Sequence, residues 1–581
     1  MDKKSIVSIL DEMGTLLELQ GANPFKARAY FNASRALEGA TQDLVTLVEE
    51  ERLREIAGIG ESTAKVISDL VRKDKSKDYD DLKKSFPPGV PDMLRIAGLG
   101  PKKVKLLFEK LKIKSLQELE EAAKQDKLAD VAGFGKKTQE NILKGINALR
   151  ARTDKHLFPA AFEPANKIHR HLLLQKGVLR AEIGGSLRRK KEVIGDIDIV
   201  VSAKDMHRPA IMDAFVSHPE VRSIVAKGET KSSVTLNAGI NADLRIVDDS
   251  EYPFALNYFT GSKEHNVELR GRAKKYGWSL NEYGFSELGV EEKRGKAKRI
   301  VKCKDEADLY KALELEYVPP ELRENTGEIE AAEQGTLPHL VETKDIKGTF
   351  HCHTTYSDGV NTLEQMAEAA RQLGWEYLGI ADHSKVAAYA GGLSEAKVKA
   401  QQKEIDSLNS KSKGFRILKG TEVDILPNGD LDWPEKVLSR FEFVVASIHS
   451  SFKADEKEMT NRLIKALKNK YVTMLGHPTG RLLLVRDGYP VNMIDVINCA
   501  ADYGKIIEIN AHPNRFDLDW RLVKFAKEKG VLISINPDAH NIEGLQHVYY
   551  GVGIARKGWL EKKDVLNTRP LKEVLNYLKL S

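Results

Sequence analysis

The stretch Val531-Leu532-Ile533-Ser534-Ile535-Asn536-Pro537-Asp538-Ala539-His540 joins a short apolar run to two side chains that commonly bind metals. The apolar run predicts a buried strand, and Asp538 and His540 follow it where that strand ends. Apolar runs at 377–381 and 443–446 also precede potential ligands, and amphipathic helical stretches lie between the runs. Repeated strand–helix units whose strands end in functional side chains predict an α/β barrel, with its active site at the carboxyl ends of the strands.

Potential metal ligands recur along the whole of this predicted barrel. Six histidines and three carboxylates would hold about two or three divalent cations, at three or four protein ligands per ion. Ions held in this way generate a water nucleophile and bind phosphate, so the pattern predicts a metallohydrolase. The nine residues are His351, His353, Asp358, His383, Glu422, His449, His477, Asp538 and His540.

Length, cysteine content and hydropathy restrict the class of protein. A chain of 581 residues predicts three or more domains, because a single core stops growing well below that size. The three cysteines are too scattered for a disulfide framework, no apolar run reaches membrane-spanning length, and the first residues lack a secretory signal. We therefore expect a cytoplasmic protein with no membrane partner. We also expect it to be monomeric.

A Gly-x-Gly pattern occurs three times in the first part of the chain, at 56–60, 96–100 and 131–135. Each copy lies between helical stretches, where paired glycines expose backbone N–H groups at a helix N-terminus and create a seat for a phosphate. The apolar residue between the glycines would fill the gap between the two helices. Helix–helix turns also use glycine for steric reasons alone, but three copies, two of them followed by lysine pairs, favour nucleic-acid binding.

The window 91–155 contains 15 Lys/Arg against 9 Asp/Glu, a surplus that attracts phosphate backbones. On charge alone, a solvated helical face is an equally good explanation. The three repeated units resemble helix-hairpin-helix motifs, and this resemblance implies contact with a DNA backbone. We assign the contact to Gly58, Gly60, Gly98, Gly100, Lys102, Lys103, Gly133 and Gly135.

Paired carboxylates distinguish the middle of the chain. Asp196 and Asp198 alternate with isoleucines, so both carboxylates leave the same face of one predicted strand. Adjacent carboxylates repel each other unless cations lie between them, and Mg²⁺ prefers hard oxygen ligands. Asp243 lies in a second strand-like run, and the Gly-Ser pair at 185–186 would bring backbone N–H groups close to a triphosphate. An Asp-x-Asp on an exposed strand is common, but this combination is rarer and predicts nucleotidyl transfer by two metal ions.

Residues 1 to about 318 resemble the family X DNA polymerases, the family of polymerase beta. The resemblance implies Mg²⁺ or Mn²⁺ at the carboxylates, with deoxynucleoside triphosphates and gapped or primer-template DNA as partners. Asp196 and Asp198 would bind both ions, and Asp243 would activate the primer hydroxyl. The matching segments are 184–189, 195–198, 258–262 and 280–283, together with Asp243 itself.

The same resemblance implies where the incoming nucleotide binds. Ser186 and Arg189 would hold its phosphates, and Phe259 would pack against the sugar and leave little room for a 2′-hydroxyl. Arg270, together with Asn266, would reach the minor-groove edge of the new base pair. The implied nucleotide contacts are Gly185, Ser186, Arg189, Tyr258, Phe259, Gly261 and Asn266.

Two positions depart from the family pattern. Val66 stands where the lyase lysine is expected, with Lys65 beside it, which puts deoxyribose-phosphate lyase activity in question. Asn241 replaces an arginine that polymerase beta carries two residues before its third aspartate. Catalysis should survive this second change, although the surroundings of Asp243 would differ.

The segments around the nine ligands resemble the PHP (polymerase and histidinol phosphatase) family over residues 346–581, with no ligand position missing. The resemblance implies a distorted TIM-like barrel that binds two to three ions of Mn²⁺ or Zn²⁺. Arg515 is placed to meet a phosphate near the rim.

The two halves together resemble bacterial and archaeal family X polymerases in which a PHP barrel follows the polymerase. This architecture implies gap filling in base excision repair at the nucleoid, with 3′–5′ exonuclease and AP endonuclease activity in the barrel. Two alternatives stay open for the barrel. It would act as a phosphatase on small phosphate monoesters, or it would only stabilise the fold or dock partners.

The patterns and resemblances predict a multidomain protein with α-helical DNA-binding regions, an α+β palm and thumb, and an α/β barrel. A Glu-rich segment with no sustained apolar period predicts a linker with one short helix. The predicted domains are an N-terminal helical domain (1–87), a helix-hairpin-helix fingers domain (88–155), a nucleotidyltransferase palm (156–255), a thumb (256–318), the linker (319–345) and the PHP barrel (346–581).

Overall fold

A computed structural model of the chain describes residues 3–38, 44–56, 58–87, 89–94, 96, 99–128, 131, 134–153, 155–288, 300–387 and 390–579. The chain forms two compact units, Met1–Asp154 and Lys155–Ser581. None of the described helices combines the length and the apolar character that a bilayer span requires.

The described part of the first unit is helical. Ile59, Leu99 and Phe134, the apolar residues between the paired glycines, are buried in its two apolar clusters, so the prediction that they fill gaps between helices is confirmed. The helices are α1 (Lys3–Gln20), α2 (Pro24–Glu38), α3 (Leu44–Glu49), α4 (Glu61–Lys73), α5 (Lys77–Lys84), α6 (Gly89–Met93), α7 (Pro101–Leu111), α8 (Leu116–Lys124) and α9 (Lys136–Thr153).

A five-stranded sheet of order β2-β4-β7-β6-β5 opens the second unit. Its second strand β4, between β2 and β7, alternates carboxylates with Ile197 and Ile199, which pack in one apolar cluster with Ile168 of helix α10. The elements are β1 (His156–Leu157), α10 (Phe158–Leu173), β2 (Val178–Ile183), α11 (Gly185–Arg188), β3 (Val193–Ile194), β4 (Asp196–Ala203), α12 (Arg208–Val216), β5 (Val221–Lys227), β6 (Lys231–Leu236) and β7 (Asn241–Val247).

A smaller layer follows this sheet and contains a two-stranded hairpin between helices. Leu269, Phe285 and Leu309 belong to its apolar cluster. The elements are α13 (Tyr252–Thr260), α14 (Lys263–Lys275), β8 (Trp278–Asn281), β9 (Gly284–Glu287) and α15 (Glu306–Ala312).

The segment 319–345 contains the short helix that its composition predicts, and it also packs charged side chains into the interior. It contains a 3₁₀ turn (Pro320–Leu322) and helix α16 (Glu328–Gln334), and several of its charged residues are buried. Arg323 is fully buried, where its Nη1 donates to Glu306 Oε1 at 2.6 Å and its Nε to the Val318 carbonyl at 2.9 Å. Charged residues enter an interior when partners compensate their lost hydration, and the composition of a segment does not reveal such distant partners.

The C-terminal part is a ring of seven parallel strands that follow one another in chain order. Thr349 Oγ1 on the first strand donates to the Ile535 carbonyl on the last at 3.2 Å, and Cys352 bridges to Ala539 in parallel, so the ring closes. This confirms the predicted TIM-like barrel. The strands are β10 (Gly348–Thr349), β11 (Tyr377–Ile380), β12 (Arg416–Asp424), β13 (Phe443–Ser447), β14 (Met474–Leu475), β15 (Ile506–Asn510) and β16 (Ile533–Asn536).

Helices connect the strands of the barrel and cover its outside. Val496 and Val523 on two of these helices share an apolar cluster with Ile507 and Ile533 of the strands. The helices are α17 (Leu363–Gln372), α18 (Glu395–Lys411), α19 (Glu435–Leu438), α20 (Glu456–Leu467), α21 (Met493–Asp502), α22 (Trp520–Glu528), α23 (Val548–Lys557) and α24 (Leu571–Tyr577).

Candidate active sites

Three carboxylates lie together at one end of the five-stranded sheet. Strands β4 and β7 are parallel neighbours in a register that pairs Asp198 with Asp243, so both carboxylates leave the same face. Asp196 is exposed, whereas Asp198 and Asp243 are half-buried. Lys231 on β6 forms an ion pair with Asp243, Nζ to Oδ2 at 2.6 Å. The structure thus brings together all three carboxylates that the sequence singled out.

The positively charged side chains of the protein do not fully neutralise the three carboxylates Asp196, Asp198 and Asp243. Burial, followed by repulsion from Asp196 and Asp243, raises the pKa of Asp198 to about 7. Divalent cations relieve such repulsion, and a set of oxygen donors alone, partly open to solvent, fits Mg²⁺ or Mn²⁺.

The Gly-Ser turn lies directly against the paired carboxylates. The Gly184 N–H donates to the Asp198 carbonyl at 2.7 Å. A Cβ at Gly185 would lie 2.5 Å from Asp198 Oδ2, and the φ of this glycine is +62°, so no other residue fits here without a shift. Ser186 follows in the same turn and is half-buried.

The Arg189 side chain forms an ion pair and a hydrogen bond with other parts of the protein. Its Nε lies 3.0 Å from Glu324 Oε1 and its Nη1 donates to the Thr260 carbonyl at 2.5 Å. Glu324 also accepts from Lys557 Nζ at 2.5 Å. A nucleotide phosphate at Arg189 would therefore compete with Glu324, a partner that lies in the segment expected to be a linker.

The residues assigned to the sugar and base of the nucleotide cluster at the end of α13. The rings of Tyr258 and Phe259 meet edge to face with centroids 5.1 Å apart. Asn266 Nδ2 donates to the Tyr258 carbonyl at 2.8 Å, and Arg270 Nε donates to the Asn266 carbonyl at 3.2 Å. Gly261 follows α13 with a φ of +65°.

One residue of this site escaped the sequence reasoning. The Arg245 guanidinium lies 4.4 Å from the centroid of the Phe259 ring. Arg245 stands two residues after Asp243 on β7, so its side chain leaves the same face as that carboxylate. It links the carboxylates to the aromatic pair, and its alternation with Asp243 is the signal that would have identified it.

The nine ligands predicted for the barrel meet at the carboxyl ends of its strands. Glu422 is central: His383 Nδ1 lies 2.8 Å, His477 Nε2 3.0 Å, His449 Nε2 3.3 Å and His351 Nε2 3.4 Å from its carboxylate oxygens. Three groups could each hold an ion, and they are His353–Asp358–His383–His540, His351–His353–Asp538 and His383–Glu422–His449.

Several potential metal-ligating atoms of this cluster are buried without forming hydrogen bonds to one another. His351 Nε2, both ring nitrogens of His353, Glu422 Oε2 and His477 Nδ1 are buried, and within the described residues they form no hydrogen bond of normal geometry, although oppositely charged atoms lie within 4 Å of several of them. Buried polar atoms are normally partnered, so this concentration of exceptions favours an absent ligand. Mixed imidazole and carboxylate donors suit Mn²⁺ and Zn²⁺. His477 and Asp538 also adopt positive φ angles of 25° and 51°, a strain that is common at functional sites.

Two carboxylates that orient the histidines were missed in the sequence. Glu508 Oε2 lies 2.7 Å from His351 Nδ1, and Asp424 Oδ1 lies 2.9 Å from His449 Nδ1. Each leaves the Nε2 of its histidine directed at the cluster and selects the tautomer that ligates through that atom. Glu508 is the one charged residue of the buried strand Ile506–Asn510, and this contrast is the signal that would have identified it.

The histidines of the cluster have opposite electrostatic surroundings. Burial alone would lower the pKa of His351, but the surrounding carboxylates, first Glu508, outweigh it and hold that pKa well above its usual value. Burial and the neighbouring histidines lower the pKa of His353 to about 4. Ligating imidazoles must be neutral, so bound cations would replace the proton on His351 and supply the positive charge that the carboxylates attract.

The helix-hairpin-helix glycines fall into two types. Gly60, Gly100 and Gly135 immediately precede α4, α7 and α9, and a Cβ on any of them would meet no described atom within 4 Å. Packing therefore does not require these glycines, which favours the phosphate-binding interpretation over the steric one. At Gly58, by contrast, φ is +105° and a Cβ would lie 3.2 Å from the Ala36 Cβ.

The remaining predicted DNA contacts are only partly described. Lys102 is exposed on α7, and the Lys103 ammonium lies 5.8 Å from the centroid of the Phe134 ring. Gly98 and Gly133 lie outside the described residues. At the lyase position, Val66 is buried, while Lys65 forms an ion pair with Asp78 at 3.0 Å.

Four protein families match parts of the chain. The helix-hairpin-helix domain matches residues 1–76 and the SAM-like helix-hairpin-helix tandem residues 90–148. The DNA polymerase beta thumb matches residues 255–324, and the PHP domain matches residues 349–512.

Individual relatives divide into full-length and barrel-only matches. The chain is 38% identical to the DNA polymerase/3′-5′ exonuclease PolX of Bacillus subtilis (strain 168) over 581 residues, which is 100% of both chains. It is 30% identical to a probable phosphatase of Thermoanaerobacter sp. (strain X514) over 243 residues, 39% of this chain and 93% of that relative. A probable phosphatase of Clostridium acetobutylicum is 27% identical over 252 residues, 40% of this chain and 93% of that relative.

Proposed function

Because the chain belongs to the family of the bacterial DNA polymerase/3′-5′ exonuclease PolX, we propose that it fills short gaps in DNA during base excision repair and removes nucleotides from 3′ ends. The observation that carries the proposal is the coexistence of two separate candidate metal sites in one chain. Three carboxylates lie at the end of the five-stranded sheet, and nine candidate ligands lie at the rim of the barrel, eight in groups that could hold an ion and His477 beside Glu422.

Polymerisation would take place at the carboxylates of β4 and β7. Asp196 and Asp198 would bind both metal ions, and Asp243 would accept the proton of the primer 3′-hydroxyl after Lys231 is displaced from it. Mg²⁺ or Mn²⁺ bound here would neutralise the charge that develops on the transferred phosphate. The raised pKa of Asp198 supports this role, since the protein alone leaves the carboxylates short of positive charge.

The nucleotide would bind between the Gly-Ser turn and the end of α13. Backbone N–H groups and Ser186 in the turn would contact the phosphates, and Arg189 would join them on exchanging its Glu324 partner. Phe259, held by Arg245 on its face, would pack against the sugar. Asn266 and Arg270 would reach the minor-groove edge of the new base pair.

The nuclease reaction would take place at the barrel rim. Bound Mn²⁺ or Zn²⁺ would supply an activated water and neutralise the phosphodiester. Glu508 and Asp424 would hold His351 and His449 in the ligating tautomers, and Glu422 would connect the three groups of ligands. Cleavage at an abasic site requires the same hydrolysis of a phosphodiester, and we propose it as a second use of this centre.

A phosphatase for small monoesters is the second candidate for the barrel, because the probable phosphatases match this region over 93% of their own length. The two candidates differ in their substrates. The full-length protein with Mn²⁺ should release nucleotides from the 3′ end of a single strand at rates that exceed hydrolysis of histidinol phosphate or p-nitrophenyl phosphate. Faster turnover of the monoesters would instead favour the phosphatase.

The partners follow from these activities. We propose that the protein acts as a monomer at the nucleoid, with deoxynucleoside triphosphates as substrates of the sheet site. Gapped DNA would be held through the helix N-termini after Gly60, Gly100 and Gly135, together with Lys102 and Lys103. Primer extension on a one-nucleotide gap with Mg²⁺ tests this part, and absence of extension would contradict it.

A further inference from the structure

Two loops at the rim of the barrel are joined into one structure beside the metal ligands. One follows β14 and spans 480–488, and the other follows β15 and spans 511–519. The Leu483 N–H donates to the Asn514 carbonyl at 2.6 Å, and Arg481 Nε donates to the Arg515 carbonyl at 2.9 Å. Because Arg481 also pairs with Asp519 at 2.5 Å, its charge is used in holding the loops together.

Arg515 extends from the second loop to the edge of the metal cluster. Its Nε lies 3.6 Å from Asp538 Oδ2. The other carboxylate oxygen of Asp538, Oδ1, lies 3.2 Å from His353 Nε2. Among the described residues, Asp538 is the one carboxylate within ion-pair distance of Arg515. Since the same carboxylate would ligate a metal, the guanidinium retains capacity for a further anion.

Arg486 provides a second cation on the first loop. It is exposed, its guanidinium lies 4.5 Å from the centroid of the Phe452 ring, and its Nη2 donates to the Gly480 carbonyl at 2.8 Å. Phe452 is itself stacked on the buried Tyr489 with centroids 6.0 Å apart, so the ring beneath the arginine packs against the interior. No carboxylate within the described residues forms an ion pair with Arg486.

The two arginines are close enough to influence each other. Partial burial and then the charge of Arg515 lower the pKa of Arg486. Arg486 lies three residues after Leu483 and Arg515 follows Asn514, the two residues whose hydrogen bond joins the loops. Like charges on two joined loops repel each other, and an anion bound near both relieves the repulsion. Guanidinium groups bind phosphate in a bidentate manner, which makes a phosphodiester chain the anion that suits this pair.

We propose that Arg515 and Arg486 form a diester clamp, in which Arg515 binds the phosphodiester at the metal centre and Arg486 binds the neighbouring phosphate of the same single DNA strand. The clamp rests on the proposed nuclease function and specifies its substrate class. A small phosphate ester would occupy only the position at Arg515. Arg486 would contribute only when the substrate continues beyond the cleaved bond.

The test compares two phosphodiesters of different length in the full-length protein with Mn²⁺. Nucleotide release from single-stranded oligothymidylate is measured beside hydrolysis of bis(p-nitrophenyl) phosphate, which has no second phosphate. In Arg486→Gln, the ratio of kcat/KM for the oligonucleotide to kcat/KM for the small diester should fall about tenfold, because one charge-assisted phosphate contact is lost. In Arg515→Gln, both reactions should slow by about tenfold or more, and their ratio should change less.

The salt dependence of KM and a control variant distinguish a specific phosphate contact of Arg486 from the general effect of removing one positive charge. The dependence of log KM for the oligonucleotide on log salt should lose about 0.7 of slope in Arg486→Gln, and Arg486→Lys should recover most of that slope. The control is Arg371→Gln on α17, which removes an exposed arginine that pairs with Glu368 and should leave both ratio and slope as in wild type.

The two possible failures are distinguishable. If wild type releases nucleotides but Arg486→Gln keeps the wild-type ratio and salt slope, the clamp is overturned and the nuclease stands. If wild type releases no nucleotides from the oligonucleotide while it hydrolyses small esters, the proposed nuclease function fails before any variant is compared. Arg486 is exposed, so its replacement does not disturb the core, and this arm stands even if Arg515→Gln fails to fold.

Discussion

The sheet site and the barrel site of the second unit place their candidate ligands in different surroundings. At the sheet, Asp196 is exposed and the three carboxylates have only oxygen to offer. At the barrel, His351 and His353 are fully buried, and carboxylates behind the ligands, such as Glu508, hold the imidazoles in place. A partly exposed set of oxygens suits an ion that arrives and departs with its nucleotide. A buried set with fixed second partners suits ions that stay with the protein between turnovers.

Asp198→Ala is expected to have the largest single effect, and only at the sheet. Gap filling with Mg²⁺ should fall by about three orders of magnitude, because a ligand shared by both ions supplies several kcal/mol of charge stabilisation. Release of 3′ nucleotides should persist. Asp205→Ala, which removes an exposed carboxylate beyond β4, is the control. Equal loss of both activities would mean that the two sites are not separate.

His353→Ala is the reciprocal experiment at the barrel. Mn²⁺-dependent nucleotide release from a single strand should fall more than about 100-fold, because His353 belongs to two of the three ligand groups and its loss opens both coordination shells. Gap filling should be retained. His339→Ala, at an exposed histidine upstream of the barrel, is the control. Unchanged nucleotide release in His353→Ala would show that this centre is not the nuclease.

Glu508→Gln tests whether the carboxylates that hydrogen-bond to the histidines make the barrel retain its metal ions. The substitution keeps the shape of the side chain but weakens its bond to His351, so affinity for Mn²⁺ should fall by about 10- to 100-fold. Titration of metal-free protein with Mn²⁺ measures the change, and excess Mn²⁺ should restore nuclease activity. Glu528→Gln on the exposed side of α22 is the control. Unaltered affinity would mean that Glu508 serves packing alone.

Removal of metal should separate the two sites without mutation. After dialysis against a chelator, added Mg²⁺ should restore gap filling at once, whereas the buried barrel site should need Mn²⁺ or Zn²⁺. Binding of an ion at 100 times its Kd stabilises the native state by about 2.7 kcal/mol, so Mn²⁺ should raise the Tm of the metal-free protein. In His353→Ala the rise in Tm should be smaller. Equal rises in both proteins would place the stabilising ion elsewhere.

The smallest expected effect concerns DNA binding that would serve the sheet site. Replacing Lys102 and Lys103 by Ala should flatten the dependence of log K on log salt for gapped duplex by roughly one or two units, at about 0.9 per phosphate contact. The control replaces Lys124 and Lys127, an equal number of exposed charges. An unchanged slope for the first pair would mean that it forms only a solvated helix face.

Residues whose role follows from local spacing were predictable from the sequence. Most of the candidate ligands at the barrel rim lie just after buried strands, and a parallel barrel brings the carboxyl ends of all its strands to one rim. Asp196 and Asp198 share a face because side chains alternate along a strand. In each case a few consecutive residues contain both the structural signal and the chemical group.

Only the tertiary structure decided which distant charges meet inside the protein. The order of residues does not show that Glu324 binds Arg189 and Lys557, or that Glu508 rather than another carboxylate orients His351. The segment 319–345 is hydrophilic by composition, yet Arg323 lies at 0% exposure because Glu306 compensates its charge there. A charge can be buried when the fold brings an oppositely charged partner to it from elsewhere in the chain. The residues next to it in the sequence do not identify that partner.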